Sequence, residues 1–219
     1  MLLLLLRTAA AATGLDVANA VRDVVYRLGF QGSADLAASG SWVTGAELYQ
    51  WADDAAKKLS CQAGVFVVYD DSITVVAGTA AYPLPASHVF TLVAALGTGT
   101  LRITSVRDLE ALDALWAAST GAAQRCSLDA GAVGTITLYP NPVTGGTLKQ
   151  VCQEFPAAVA EGSATVALPS VLQDYFSYAM LAGARGKESE AAMPEMAAHF
   201  AERVKLYERV IAHLWGAGQ

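Results

Sequence analysis

The chain has 219 residues, enough to bury a full core, yet only 16% are charged while 54% are hydrophobic, against roughly 25% charged in ordinary soluble domains. A net charge of −6 excludes the clustered Lys and Arg with which a protein grips nucleic acid. Three cysteines, Cys61, Cys126 and Cys152, without CxxC spacing, exclude a disulfide framework and a cysteine zinc site, so the chain is expected to fold in a reducing cytoplasm and turn much of its surface toward other protein.

The opening MLLLLLR lacks a basic leader, and Arg7 interrupts its apolar block. It reads as a flexible or partner-docked arm rather than a signal peptide, and no stretch reaches the roughly 18 apolar residues of a membrane span. Asp16 is placed to cap a helix on which Val17, Val21, Val24 and Leu28 share one face, with Gly29 positioned to end it. The small, polar run Gln31 to Gly40 is a connection. Thr44 and Glu47 then form a capping box opening a helix to about Leu59, with Leu48, Trp51, Ala52, Ala55 and Leu59 on its apolar face.

Beyond Gly64 the pattern changes. VFVVY, SITVVA, HVFTLVAAL and LRITS are rich in β-branched and aromatic residues and predict strands, while Tyr82-Pro83-Leu84-Pro85 marks an edge or an exit. Ser105 caps a predicted helix from Val106 to Ala118 with Leu109, Leu112 and Trp116 as its buried stripe. RCSLD, TITLY and TLKQVCQEF return to strand, the last two joined through Pro140-Asn141-Pro142 and Thr144-Gly145-Gly146 as an expected antiparallel hairpin. A short strand at Thr165 to Leu168 follows.

Two helices are predicted at the end, Pro169 to Arg185 and Met193 to Leu214. On the second, Met193, Ala197, Phe200, Val204, Tyr207, Ile211 and Leu214 are spaced 4, 3, 4, 3, 4 and 3 residues apart, a seam that wants a partner helix. Helices, a β-rich middle with one embedded helix, then helices again make the class α+β.

Nothing along the chain assembles a catalytic constellation. Gly97-Thr98-Gly99 lacks the third glycine and following helix of a dinucleotide fingerprint. Gly186-Lys187 is followed by Glu188 where a phosphate loop needs Ser or Thr, and a helix-ending glycine explains it better. His88, His199 and His213 do not share a helical face at metal-ligand spacing, and Asp53-Asp54 and Asp70-Asp71 read as solvated pairs. The expectation is a protein with no catalytic, cofactor-binding or metal residues, and not an enzyme.

Taken in order, the capped helix TGAELYQWADDAAKKLS, the strand TVVAGTAAYPLP, LRITSVRDLEALDALW, GTITLYPNPVTGGTL and the ending DYFSYAMLAGARGKESEAAMPEMAAHFAERVKLYERV resemble phage head-to-tail adaptors, the connector or neck proteins. The resemblance spans about Val43 to Val210. It implies a helical bundle with a β-rich central insertion and long C-terminal helices. The expected division is an N-terminal arm and first helix over 1–40 and an adaptor domain over 41–219, with the β-rich middle at about 65–168 and the helical pair at 169–215. It also implies a virion protein made in the host cytoplasm, forming a ring of about twelve copies between the portal protein and a tail or nozzle protein. DNA would pass through the channel without specific binding, and no membrane is involved. Met193, Phe200, Val204, Tyr207, Ile211, Leu214 and Trp215 are the expected portal or subunit interface. The alternatives are another neck or tail-completion or tail-tube protein, and a soluble binding module.

Overall fold

The computed structural model describes residues 14–36, 41–161, 165–189 and 191–216; the Leu-rich arm lies outside the described residues. The chain divides into two units, Met1–Phe66 with Phe155–Gln219, and Val67–Glu154. The class is α+β, as the alternation of periodicities predicts.

The first unit opens with strand β1 (Gly14–Asp16) and helix α1 (Val17–Arg27). The Asp16 carboxylate accepts from Ala18 N at 2.9 Å, and the helix buries Val17, Ala20, Val21, Val24 and Val25. Gly29 ends it at φ +93°, a left-handed conformation that costs glycine least. Within the expected connection a short helix, α2 (Ser33–Leu36), forms, and residues 37–40 lie outside the described set. Helix α3 (Gly45–Ala63) starts on the expected capping box, both halves present, and runs past Leu59 to end at Gly64 with φ +59°. After the second unit, β11 (Thr165–Pro169) pairs antiparallel with β1, followed by a 3-10 turn (Ser170–Leu172), α5 (Gln173–Gly186) and α6 (Pro194–Gly216). Their shared core includes Leu15, Leu48, Leu59, Tyr175, Phe176 and Met180, each fully buried, at about 1.5–3 kcal/mol per large apolar side chain.

The second unit is strand-rich: β2 (Val67–Val75), β3 (Ala81–Pro83), β4 (His88–Leu96), β5 (Gly99–Ile103), β7 (Arg125–Ser127), β8 (Thr135–Tyr139) and β10 (Gly146–Glu154) form one sheet in the order β2-β10-β4-β5-β7-β8-β3. Within this sheet β5 and β7 pair in parallel and the other neighbours antiparallel. A separate two-stranded pair joins β6 (Thr120–Gly121) to β9 (Asn141–Pro142), also in parallel. Ile73, Tyr82, Leu101, Ile136, Leu138 and Leu148 fill the core. The Tyr82 hydroxyl accepts from Val76 N at 3.0 Å and donates to Thr79 O at 2.7 Å, pinning the turn that leads into β3.

The structure departs from the sequence pattern at three places. VFVVY and SITVVA are not two strands; they form the single β2, whose register slips opposite Leu148 and Gln150. There the Asp70 carboxylate accepts from Ser72 N at 2.9 Å, absorbing the irregularity. TITLY and TLKQVCQEF do not pair, because β8 already has β7 and β3 as neighbours and β10 has β2 and β4; Pro140 and Pro142 carry no N–H to continue a ladder. The embedded helix, α4 (Val106–Leu112), stops seven residues in, leaving Leu109 buried but Leu112 54% exposed.

Candidate assembly interface

The seven-residue seam on α6 meets a helix of its own chain. Val204 and Ile211 are buried in the helical core, with Phe200 and Tyr207 packed partly into it. The Phe200 ring stacks on Tyr178 of α5 at 6.1 Å, and Tyr207 lies 6.4 Å from Tyr175 and 6.0 Å from Tyr178. Met193 and Leu214, at the ends of the seam, are 44% and 66% exposed. The Trp215 side chain lies outside the described residues. One flank of α6 that the heptad count passes over is also apolar and open: Met196, Leu206 and Val210 are 42%, 50% and 48% exposed. Leu206 and Val210 line a cavity of about 210 Å³ with Tyr178, Arg203 and Tyr207.

Polar side chains lock the three long helices together. The Tyr175 hydroxyl donates to Ala55 O of α3 at 3.1 Å and lies 3.4 Å from Glu208 Oε1 of α6. Glu208 in turn pairs with Lys58 Nζ of α3 at 2.8 Å. Burial and the Glu208 carboxylate push the Tyr175 phenol well above its ordinary range, so it stays a hydrogen-bond donor. At the far end of α5, Lys187 Nζ sits 2.6 Å from Glu47 Oε1 and donates to Trp42 O at 3.1 Å. The hydrogen bond from Lys187 holds the Glu47 carboxyl below its usual range. The Gly186-Lys187 dipeptide is thus a helix end whose lysine braces α3.

The acidic pairs split rather than both facing water. Asp53 accepts from Val159 N at 2.8 Å and pairs with Lys57 at 2.6 Å, while Asp54 is exposed. Asp70 accepts from Gln150 Nε2 at 2.8 Å, while Asp71 is exposed. Gln150 also accepts from the Thr91 hydroxyl at 3.3 Å, and Thr91 Oγ1 lies 2.8 Å from His88 Nε2. With Thr91 donating onward, the His88 ring donates to it. Burial lowers the His88 pKa, opposed by Glu154 and Asp70, which keeps the imidazole neutral at physiological pH. This polar chain crosses β4, β10 and β2 and ties the sheet together. Burial pushes the Cys126 thiol up to about 11 and the Cys152 thiol up to about 12, the opposite of what a nucleophile needs. Among the described residues no group of three or more His, Cys, Asp or Glu is placed to hold a metal ion, and none of their helices is long and apolar enough to cross a membrane.

What the geometry offers is surface. The open flank of α6 was legible in sequence as Met196, Leu206 and Val210 lying off the heptad, had the second stripe been counted. No curated protein matches the chain. The profile of the SU10 adaptor protein family matches residues 12–214, both units included. The chain therefore belongs to the SU10 adaptor protein family of phage head-to-tail adaptors, and is a structural protein of the virion that associates with other head and tail proteins.

Proposed function

We propose that the protein forms a ring between the portal and the tail, extending the DNA channel and giving the tail its attachment platform. Family membership over nearly the whole chain carries this reading. In it, copies of the chain, about twelve of them, stand on the portal protein and receive a tail or nozzle protein. The helical unit acts as a bundle into which the strand unit is inserted. The low charged fraction supports extensive protein contact. The net charge of −6 supports a channel past which DNA slides without being held.

In this reading the C-terminal helix contributes to the portal or subunit contact in two ways. Met193, Leu214 and Trp215 touch the partner, joined by the open flank of Leu206 and Val210. Phe200, Val204, Tyr207 and Ile211 hold the helix at its required position on α5. Cryo-electron microscopy of the particle, with counting of this chain against portal by quantitative mass spectrometry, tests the reading. A ring of matched copy number in contact with portal supports it. Absence from the particle, or a place in the tail without portal contact, overturns it.

A further inference from the structure

The open flank of α6 is a stripe with a direction. Leu206, Val210 and Leu214 follow one another a turn apart on one side of the helix, exposed at 50%, 48% and 66%. Helices α5 and α6 run antiparallel: Ala197 lies across from Gly186, Phe200 from Tyr178, and Tyr207 from Tyr178 and Tyr175. The stripe therefore climbs toward the first turn of α5, and the cleft of about 210 Å³ that Leu206 and Val210 form with Tyr178 and Tyr207 opens along it. At that first turn stands Asp174, exposed and in none of the ion pairs among the described residues. Burial first, and the Asp174 carboxylate second, raise the Tyr207 phenol, so the acid stands within electrostatic reach of the cleft.

The sequence holds a segment that matches this surface in composition, order and reach. Leu2 to Leu6 are consecutive leucines and Arg7 follows them; the described residues open with Gly14, which pairs with Pro169 of β11. Pro169 stands immediately before the 3-10 turn that leads into α5. Tyr178 lies about 15 Å further on, at about 2 Å per residue through the turn and about 1.5 Å per residue along the helix. The segment from Arg7 to Thr13 reaches about 25 Å when extended, enough to bring the leucines to the cleft. A chain running back from Gly14 meets Arg7 before the leucines, just as the α5 surface meets Asp174 before Tyr178. The cation falls beside the acid and the leucines beside Leu206 and Val210. A tether of this length holds its segment at an effective concentration near millimolar, which favours a chain's own leucines over those of another copy.

We propose that Leu2 to Leu6 dock on the Leu206 and Val210 flank of their own free chain, with Arg7 paired to Asp174, and that they give way when this flank meets its partner in the ring. Docked, the leucines cover an apolar stripe that otherwise invites non-specific association. They also lower the apparent affinity of the flank for any partner by the fraction of chains left open. A chance collision between free chains then finds the flank occupied, whereas a partner that makes many contacts displaces the segment. The displacing partner rests on the ring reading; the docking is a property of the free chain and stands or falls without it.

The test uses the full-length chain. In a Cys61→Ser background, which removes the one exposed thiol among the three cysteines, Leu4→Cys is combined with Val210→Cys and oxidised in dilute solution. Trypsin cuts after Arg7 and Arg209, so mass spectrometry reads the link as residues 1–7 joined to residues 210–219. Leu5→Cys with Leu206→Cys repeats the test at a second geometry. Leu4→Cys with Tyr26→Cys, at a 57% exposed position of α1, measures links made by chance. The expected result is a link within monomers at least about tenfold above that control in one flank pair or both. A yield no higher than the control in either pair overturns the docking, and links found in dimers instead give the flank to another copy and overturn it too. Asp174→Lys should lower the yield at least about threefold, and an unchanged yield overturns the pairing with Arg7. Linked chains mixed with portal-bearing particles that lack this protein should bind at least about tenfold less than the same chains after reductant. Equal binding overturns the displacement while leaving the ring intact, and particles that bind neither these chains nor the natural one overturn the ring reading itself.

Discussion

Gly183 sits on α5 beneath the Trp51 indole of α3, and a methyl group there has nowhere to go. A Cβ on Gly183 would stand 2.5 Å from Trp51 Cδ2, 2.7 Å from Cε2 and 2.8 Å from Cγ. All three atoms belong to the root or fusion edge of the ring, so rotation of a side-chain tip cannot relieve the clash. The indole must retreat by about 1 Å to reach ordinary carbon contact distance, which costs about 1–3 kcal/mol as overpacking. Against this stands the gain of about 1 kcal/mol on replacing a mid-helix glycine by alanine. We therefore expect Gly183→Ala to destabilise the helical unit by about 1 kcal/mol and by at most about 2, lowering its melting temperature by at most about 8 °C for a unit of this size. Gly186→Ala is the control, since its Cβ would meet Ala197 Cβ at 3.7 Å, an ordinary contact. Thermal unfolding followed at 222 nm measures both, and a Trp51→Ala background isolates the cause. With the indole gone, Gly183→Ala should become neutral or stabilising by up to about 1 kcal/mol. A cost that persists unchanged in that background, or no cost in the natural chain, refutes the reasoning.

The two sides of α6 should separate folding from assembly: Val204→Asp buries a charge and should cost about 3 kcal/mol or more, whereas Leu206→Asp should melt like the natural chain but fail to incorporate into particles. Urea titration and particle pull-down read the two effects. Tyr175→Phe removes the hydroxyl's bonds to Ala55 O, which keeps its place in the helical ladder, and to Glu208, and should cost about 0.5–1.5 kcal/mol, measured by urea unfolding; an unchanged midpoint would show the hydroxyl contributes nothing. The Glu47–Lys187 pair sets a pH dependence. Because the folded pKa of Glu47 is lowered from 4.5, its contribution is fully present above about that pH and is lost as pH falls through the lower folded value. Glu47→Gln should flatten that acid limb in a series of melts from pH 6 to 3, and an unaltered slope would place the effect elsewhere.

Helices were legible where local chemistry decides them. Asp16, the Thr44–Glu47 box, Gly29 and Gly64 act through their immediate neighbours, so the spacing of cap and apolar face was sufficient. The β1–β11 pair was not legible, because Gly14–Asp16 is too short to carry a period and its partner lies about 150 residues along the chain. The β8–β10 hairpin failed for a related reason: proximity in sequence favours pairing, but four other strands had already taken both edges of each. The end of α4 was misjudged because Leu112 and Trp116 fit a helical stripe, whereas the Asp113 carboxylate prefers its own downstream N–H. The seam on α6 was correctly seen as a helix-packing stripe, but periodicity alone cannot say whose helix it meets. The exposure of Tyr69, Phe90 and Val93 had a signal in the failure of VFVVY and HVFTLVAAL to alternate, which burial on both sides would explain equally well.

The register of β2 against β10 has a consequence for how this molecule is made and remade. Gln153 sits opposite Val67, so the chain leaves the helical unit and returns to it on adjacent strands, roughly 5 Å apart at the Cα atoms. The strand unit is a cassette with its two ends side by side. A ribosome delivers it whole before α5 and α6 exist, so it can fold while the helical half still waits for its remainder. A gene encoding Phe66 joined to Phe155 through a few turn-forming residues should yield the helical unit alone, and a different cassette could be spliced at the same seam without lengthening the gap that the helices must close.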